Sequence, residues 1–205
     1  GYTIETLPFN GIISFGNSSN TRDLSNYKVF VVCEPNIKFT RAEKTAILNF
    51  VKAGGSLFMI GDHDVSDRNN DGWDAPHIWN DLMQNNGIGN TNPFGFLFDL
   101  VDISETTSKL ASGLLSTDSI LHGSFGNVSK IMLSGGTTMT VSPSLNSKVK
   151  PIIYKSSVSS ASGNSNVVYL TSRYGAGRIV AIGDSSPFDD GTGDALDVLY
   201  NGYTG

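Results

Sequence analysis

The chain has 205 residues and a formal net charge of −5, from 14 Lys and Arg against 19 Asp and Glu. That length suits one domain, and the acidic balance excludes a general nucleic-acid binder, which needs a basic face. A single cysteine excludes an internal disulfide framework and a Cys-built zinc site, and no apolar run approaches the ~18 residues of a membrane-spanning helix.

The acids are skewed: 15 are Asp and 4 are Glu. Asp favours caps, turns and metal-binding loops, whereas Glu favours helix surfaces. With abundant Ser, Asn, Thr and Gly, this predicts a turn-rich domain with acidic loops. Low Lys content points to a secreted or periplasmic setting. No leader-like segment opens the chain, so a signal peptide is expected to be absent or already removed.

Residues 2–6 read as a short strand by β-branched content, and 7–27 as loop. The apolar run 28–33 (Lys-Val-Phe-Val-Val-Cys) predicts a strand buried on both faces. Cys33 at its end is then expected to be a small buried hydrophobe. Thr40 and Glu43 form a capping box. The helix after it carries Ala46, Ile47, Leu48, Phe50 and Val51 at helical spacing, and Gly54-Gly55 stops it. Ser56–Ile60 is the next strand, so 28–60 reads as a βαβ unit and predicts a parallel sheet. Pro76 suits the first turn of a second helix running to about Asn85, with Asp74 near its start. A short helix is predicted near Ser108–Leu115. Strands are predicted at 130–133 and 137–141 around Gly135-Gly136, and at Val149–Tyr154. Residues 156–165 form a Ser/Gly/Asn loop, and 166–172 with 178–182 make a hairpin. No repeat or composition break divides the chain.

Chemistry in open α/β sheets sits beyond the carboxyl ends of the strands. Three predicted strands end there in polar clusters: 33–36, Gly61-Asp62-His63-Asp64, and the run from Gly183-Asp184 to Asp190. Residues 62–81 and 184–197 hold eleven of the nineteen acids. Such crowding favours a divalent cation or a cationic substrate. Asp67, Asn69 and Asp71, followed by Gly72, match the front half of an EF-hand calcium loop, but Ile78 stands where the bidentate Glu would be. The ligand set Asp62, Asp64, Asp67, Asn69, Asp71 and Asp74 is therefore read as a divalent-cation region, with calcium suited to 67–74. The competing reading is a set of Asx-turns in a solvated loop. His63, flanked by carboxylates, is a candidate general base or ligand. Asp62, His63, Asp64 and Asp184 form the candidate catalytic set. His77 is placed on the second helix, and His122 in a turn. No P-loop, G-x-G-x-x-G or G-x-S-x-G element is present, so no nucleotide cofactor is expected.

The segment from Asn36 to Asp64, the loop D-H-D-x-S-D-R-N-N-D-G-W-D, and Gly175-x-Gly-Arg-Ile-Val-Ala-Ile-Gly-Asp184 together resemble the class I glutamine amidotransferase-like superfamily, in a divergent bacterial branch. The likeness covers about 28–86 and 120–194. It implies a flavodoxin-like three-layer α/β sandwich with a mostly parallel sheet and a C-terminal β-hairpin, as one domain over 1–205. The superfamily's Gly-flanked Cys nucleophile and His-x-Glu pair are missing, so glutaminase activity is not carried over. Family members usually have elements before the segment matching Gly1 and after the one matching Tyr200. A trimmed piece of a longer precursor, or a layer supplied by a second copy, is therefore expected. The resulting expectation is an extracytoplasmic domain with an acidic, divalent-metal-binding rim acting as a metal-dependent hydrolase. The alternative is a non-catalytic ligand- or carbohydrate-binding module.

Overall fold

The computed structural model describes residues 3–8, 10–124 and 126–188. In chain order the elements are β1 (Val29–Cys33), α1 (Arg41–Lys52), β2 (Ser56–Ile60), α2 (Ala75–Gln84), β3 (Phe96–Phe98), β4 (Ile103–Glu105), β5 (Ser108–Leu110), β6 (His122–Gly123), β7 (Gly126–Asn127), β8 (Leu133–Gly136), β9 (Met139–Val141), β10 (Lys150–Lys155), β11 (Val167–Tyr174) and β12 (Gly177–Ile182). Residues 3–8 form no strand, and the predicted helix near Ser108–Leu115 is instead β5 followed by turns.

The main sheet runs β1-β2-β12-β11-β10-β5, with β9 against β11 and β3 against β9. The pairs β1/β2 and β2/β12 are parallel; β11/β12, β10/β11, β5/β10, β9/β11 and β3/β9 are antiparallel. This overturns the expected mostly parallel, flavodoxin-like three-layer sandwich. The reason lies in the connections. Parallel neighbours need a crossover, and α1 supplies one between β1 and β2. Between β11 and β12 the link is short. Tyr174 pairs with Gly177 across a two-residue turn, which permits only an antiparallel hairpin. The strands around Gly135-Gly136 do not pair with each other: β8 pairs with β4, and β9 with β3 and β11.

Among the described residues there are two α-helices. Both carry their apolar stripes into the larger core cluster, where Ile47, Leu48, Val51, Ile78, Trp79 and Leu82 meet Leu57, Met59, Ile179 and Ala181 of the sheet. Each such fully buried aliphatic side chain contributes roughly 1.5–3 kcal/mol. No helix covers the other face among the described residues. There, Ile60, Val168 and Ile182 pack against Leu121, Ile131 and Leu133 from the irregular 103–136 region. The capping box forms: Thr40 Oγ1 accepts from the Glu43 amide at 3.3 Å, and the Thr40 amide donates back to Glu43 Oε2 at 2.9 Å.

β1 is the edge strand, and this corrects its expected burial. Val29 and Val31 are about half exposed, and Cys33 is exposed beside them. A continuous apolar run satisfies one covered face as readily as two, and position in the sheet decides which.

Candidate functional site

Three neighbouring parallel strands, β1, β2 and β12, deliver their carboxyl ends to one rim. Backbone bonds lock them in step: the Glu34 amide donates to Ile60 O (3.1 Å), and the Gly61 amide to Ile182 O (2.9 Å). The buried Trp79 indole N–H also donates to Ile60 O (3.1 Å), tying α2 to the base of the rim. Beyond it lies a cleft of about 480 Å³, walled by Cys33, Glu34, Asp62, His63, Arg68 and Asp184, with Ser134, Ser186 and Phe188.

Asp62 and Asp184 are almost wholly buried, at 5% and 1% exposure. Asp62 Oδ1 accepts from the His63 amide (2.7 Å), and its Oδ2 accepts from Arg68 Nη2 (3.1 Å). Asp184 Oδ2 accepts from the Ser134 amide (2.5 Å); its Oδ1 accepts from the Ser186 amide and hydroxyl, each at 3.1 Å. Burial pushes the pKa of both carboxyls up, and the Glu34 carboxylate adds to it, against these hydrogen bonds. Arg68 Nη2 lies 2.7 Å from Glu34 Oε2 as well, so one guanidinium bridges Glu34 and Asp62. Glu34 is held in the left-handed region at φ 44°, a strained conformation for a residue with a Cβ.

His63 Nδ1 lies 2.7 Å from the carbonyl of Asp64. A carbonyl only accepts, so Nδ1 carries the proton and the neutral ring presents its Nε2 lone pair. That Nε2 is 3.9 Å from Asp62 Oδ1. Cys33 ends β1 at the cleft wall. Partial desolvation, then the Glu34 carboxylate, push its thiol up to about 11, so it is a poor nucleophile at neutral pH.

The expected catalytic set is divided. Asp62, His63 and Asp184 face the cleft, while Asp64 turns to α2. There Asp64, Asp74 and His77 bring one donor atom each within 4.8 Å of one another. Asp74 is also the N-cap of α2, accepting from the His77 amide (3.0 Å), His77 Nδ1 (2.7 Å) and the Val65 amide (2.7 Å). Burial alone would raise its pKa, but the His77 hydrogen bonds outweigh it and the net direction is down. Asp67, Asn69 and Asp71 form an exposed coil that bonds to its own backbone. Asp67 accepts from the Gly72 amide (2.7 Å) and the Asp71 amide (3.2 Å), and Asp71 from the Trp73 amide (2.9 Å). Asn69 Nδ2 donates to Asn36 O (2.7 Å), pinning the coil to the loop after β1. His122 is exposed on β6, bonded to Asn127. Asp189, Asp190, Asp194 and Asp197 lie outside the described residues.

Sequence reasoning missed Glu34, Arg68 and the β8 wall. A Cβ on Gly136 would sit 2.6 Å from the Asp184 Cβ, and one on Gly135 3.3 Å from the His63 ring. The Gly-Gly pair lets β8 close over the two functional side chains. It was visible as a motif, but its partners, Asp184 and His63, are 48 and 72 positions away.

No family model matches this sequence, and no curated protein matches it. Among solved structures, the mmIFT52 N-terminal domain superposes with a TM-score of 0.50 at 15% identity, over 78% of this chain and 67% of that one. Two cytoplasmic proteins of Salmonella typhimurium follow at TM-scores of 0.49: one at 14% identity over 82% and 65% of the two chains, the other at 12% over 79% and 62%. The chain thus spans about two thirds of the length of each. At such identities the likeness concerns the fold alone. Among the described residues no helix is long and apolar enough to cross a membrane.

Proposed function

We propose that the cleft is the working site of this protein, an acidic pocket that binds a small cationic molecule and carries acid–base chemistry of the hydrolytic kind. The observation that carries this reading is the charge balance of an open cleft at the strand ends. Glu34, Asp62 and Asp184 converge on it, and Arg68 is the one Lys or Arg among its described lining residues. Like charges drawn together in a desolvated place favour either a proton or a bound cation. The volume matches a small organic ligand. In this reading His63 Nε2 is the base, Asp62 beside it stabilises the imidazolium that forms, and Asp184 orients the ligand. Without turnover the same pocket is a binding module, the second form this reading takes.

A thermal-shift panel of amines, neutral sugars and carboxylates tests it. The amines raise the melting temperature of the wild type, and Asp62→Asn and Asp184→Asn each remove the shift. An equal response to all three classes overturns the reading.

A separate, divalent-cation reading attaches to Asp64, Asp74 and His77, because one donor atom from each lies within 4.8 Å of the others. Zinc or manganese stabilisation that His77→Ala abolishes, and that Asp184→Asn leaves intact, is its expected signature.

A further inference from the structure

We infer that the Arg68 side chain is a built-in occupant of the cleft's cation subsite, and that the natural ligand carries a guanidinium or primary ammonium group that takes its place. This rests on the reading of the cleft as a cation-binding pocket and adds to it a ligand class and a gate. The two carboxylates and their cation differ sharply in exposure. The Glu34 and Asp62 side chains are 14% and 7% exposed and fixed at the strand ends, whereas the Arg68 side chain is 66% exposed. The acceptors are preorganised, and the donor reaches them from solvent.

The anchoring of Arg68 is consistent with exchange. Its backbone amide donates to Asn36 Oδ1 (3.2 Å), and its neighbour Asn69 donates to Asn36 O. The loop is therefore held without help from the guanidinium. Arg68 also lines a narrow hollow beside Pro35, Ser66 and Ala75. Glu34, Asp62 and Arg68 line both the hollow and the cleft. A ligand cation entering from the cleft meets the same two carboxylates that hold Arg68. Its remaining polar groups find Ser134, Ser186 and the His63 ring. Displacing Arg68 exchanges one cation for another on the same two carboxylates, so neither carboxylate is left unpaired.

The probe is agmatine, which carries both cation types, titrated by calorimetry into wild type, Arg68→Met and the double variant Arg68→Met/Glu34→Gln. Circular dichroism checks the fold of each. The wild type is expected to bind, Arg68→Met to bind about tenfold more tightly because the competing occupant is gone, and the double variant to lose that gain. Binding by Arg68→Met alone, with none by the wild type, overturns the inference, since it marks a hole refilled rather than a subsite shared. Equal affinity of wild type and Arg68→Met also overturns it but leaves the cationic-ligand reading standing. Binding by neither overturns both.

Discussion

Two sets of acidic side chains in this protein live in opposite physical states. Asp67 and Asp71 sit in an exposed coil and spend their oxygens on nearby amides. Asp62 and Asp184 sit at the ends of adjacent parallel strands, nearly without solvent, facing a cleft. The first set shapes a loop. The second stores unfavourable charge, and that is the state in which a carboxylate has something to gain from a ligand. Aspartate spacing marked both sets alike; burial at the sheet rim separates them.

The comparison breaks most severely at Gly183. An added Cβ there falls on the Thr137 carbonyl oxygen, so Gly183→Ala must push the end of β12 away from the β8–β9 segment. A loss of about 3 kcal/mol is expected in urea unfolding, with amine binding lost as well. Next comes truncation of the carboxylates themselves. Asp184→Ala leaves the Ser134 and Ser186 amides without their acceptor and is expected to cost about 2 kcal/mol. Asp71→Ala, on an exposed turn, should stay within about 0.5 kcal/mol of wild type and leave amine binding unchanged.

Acid–base behaviour sharpens the contrast. Asp62 and Asp184 keep their protons to a higher pH in the folded protein than in the unfolded chain, where the Asp value is about 3.9. The stability this supplies is full below that value and is lost as pH rises through their folded values. Asp74 and Asp81 act in the reverse sense. Burial opposes ionisation in both, but the His77 hydrogen bonds of Asp74 and the Lys44 pair of Asp81 hold their pKa values down. Their contribution is present above about 3.9 and lost as pH falls through their folded values. The double variant Asp62→Asn/Asp184→Asn should therefore give a flatter stability curve than wild type above pH ~4, with its acid limb unchanged. A small effect of the opposite sign is expected at Val65, a β-branched residue at φ 60° and well exposed. Val65→Gly relieves that strain and should stabilise the protein by about 1 kcal/mol or less.

Much of the first sixty residues was legible in the sequence, because their signals are local. The Thr40–Glu43 box, the apolar stripe of α1 and the glycines behind it act within a few turns of chain. The partnership of β2 with β12 was not legible: it joins Ser56 to Arg178 over more than a hundred positions. Nor was the sheet's direction, since apolar runs such as 28–33 read the same in parallel and antiparallel settings. The rim shows the same division. Asp62, His63 and Asp184 were visible because each follows an apolar run directly. Arg68 was hidden among acidic neighbours, and Glu34 looked like the residue that ends a strand. Their pairing across the loop could be found only in three dimensions.

The most direct test follows the Asp62 and Asp184 carboxyl carbons through a pH titration by NMR, with and without agmatine. The account predicts that both titrate above the ordinary Asp value in the free protein, and that agmatine, whose second cationic group adds positive charge to the cleft beyond the one that replaces Arg68, draws Asp184 down. Carboxyls that titrate at the ordinary value, or an Asp184 that does not move when agmatine is present, would contradict it.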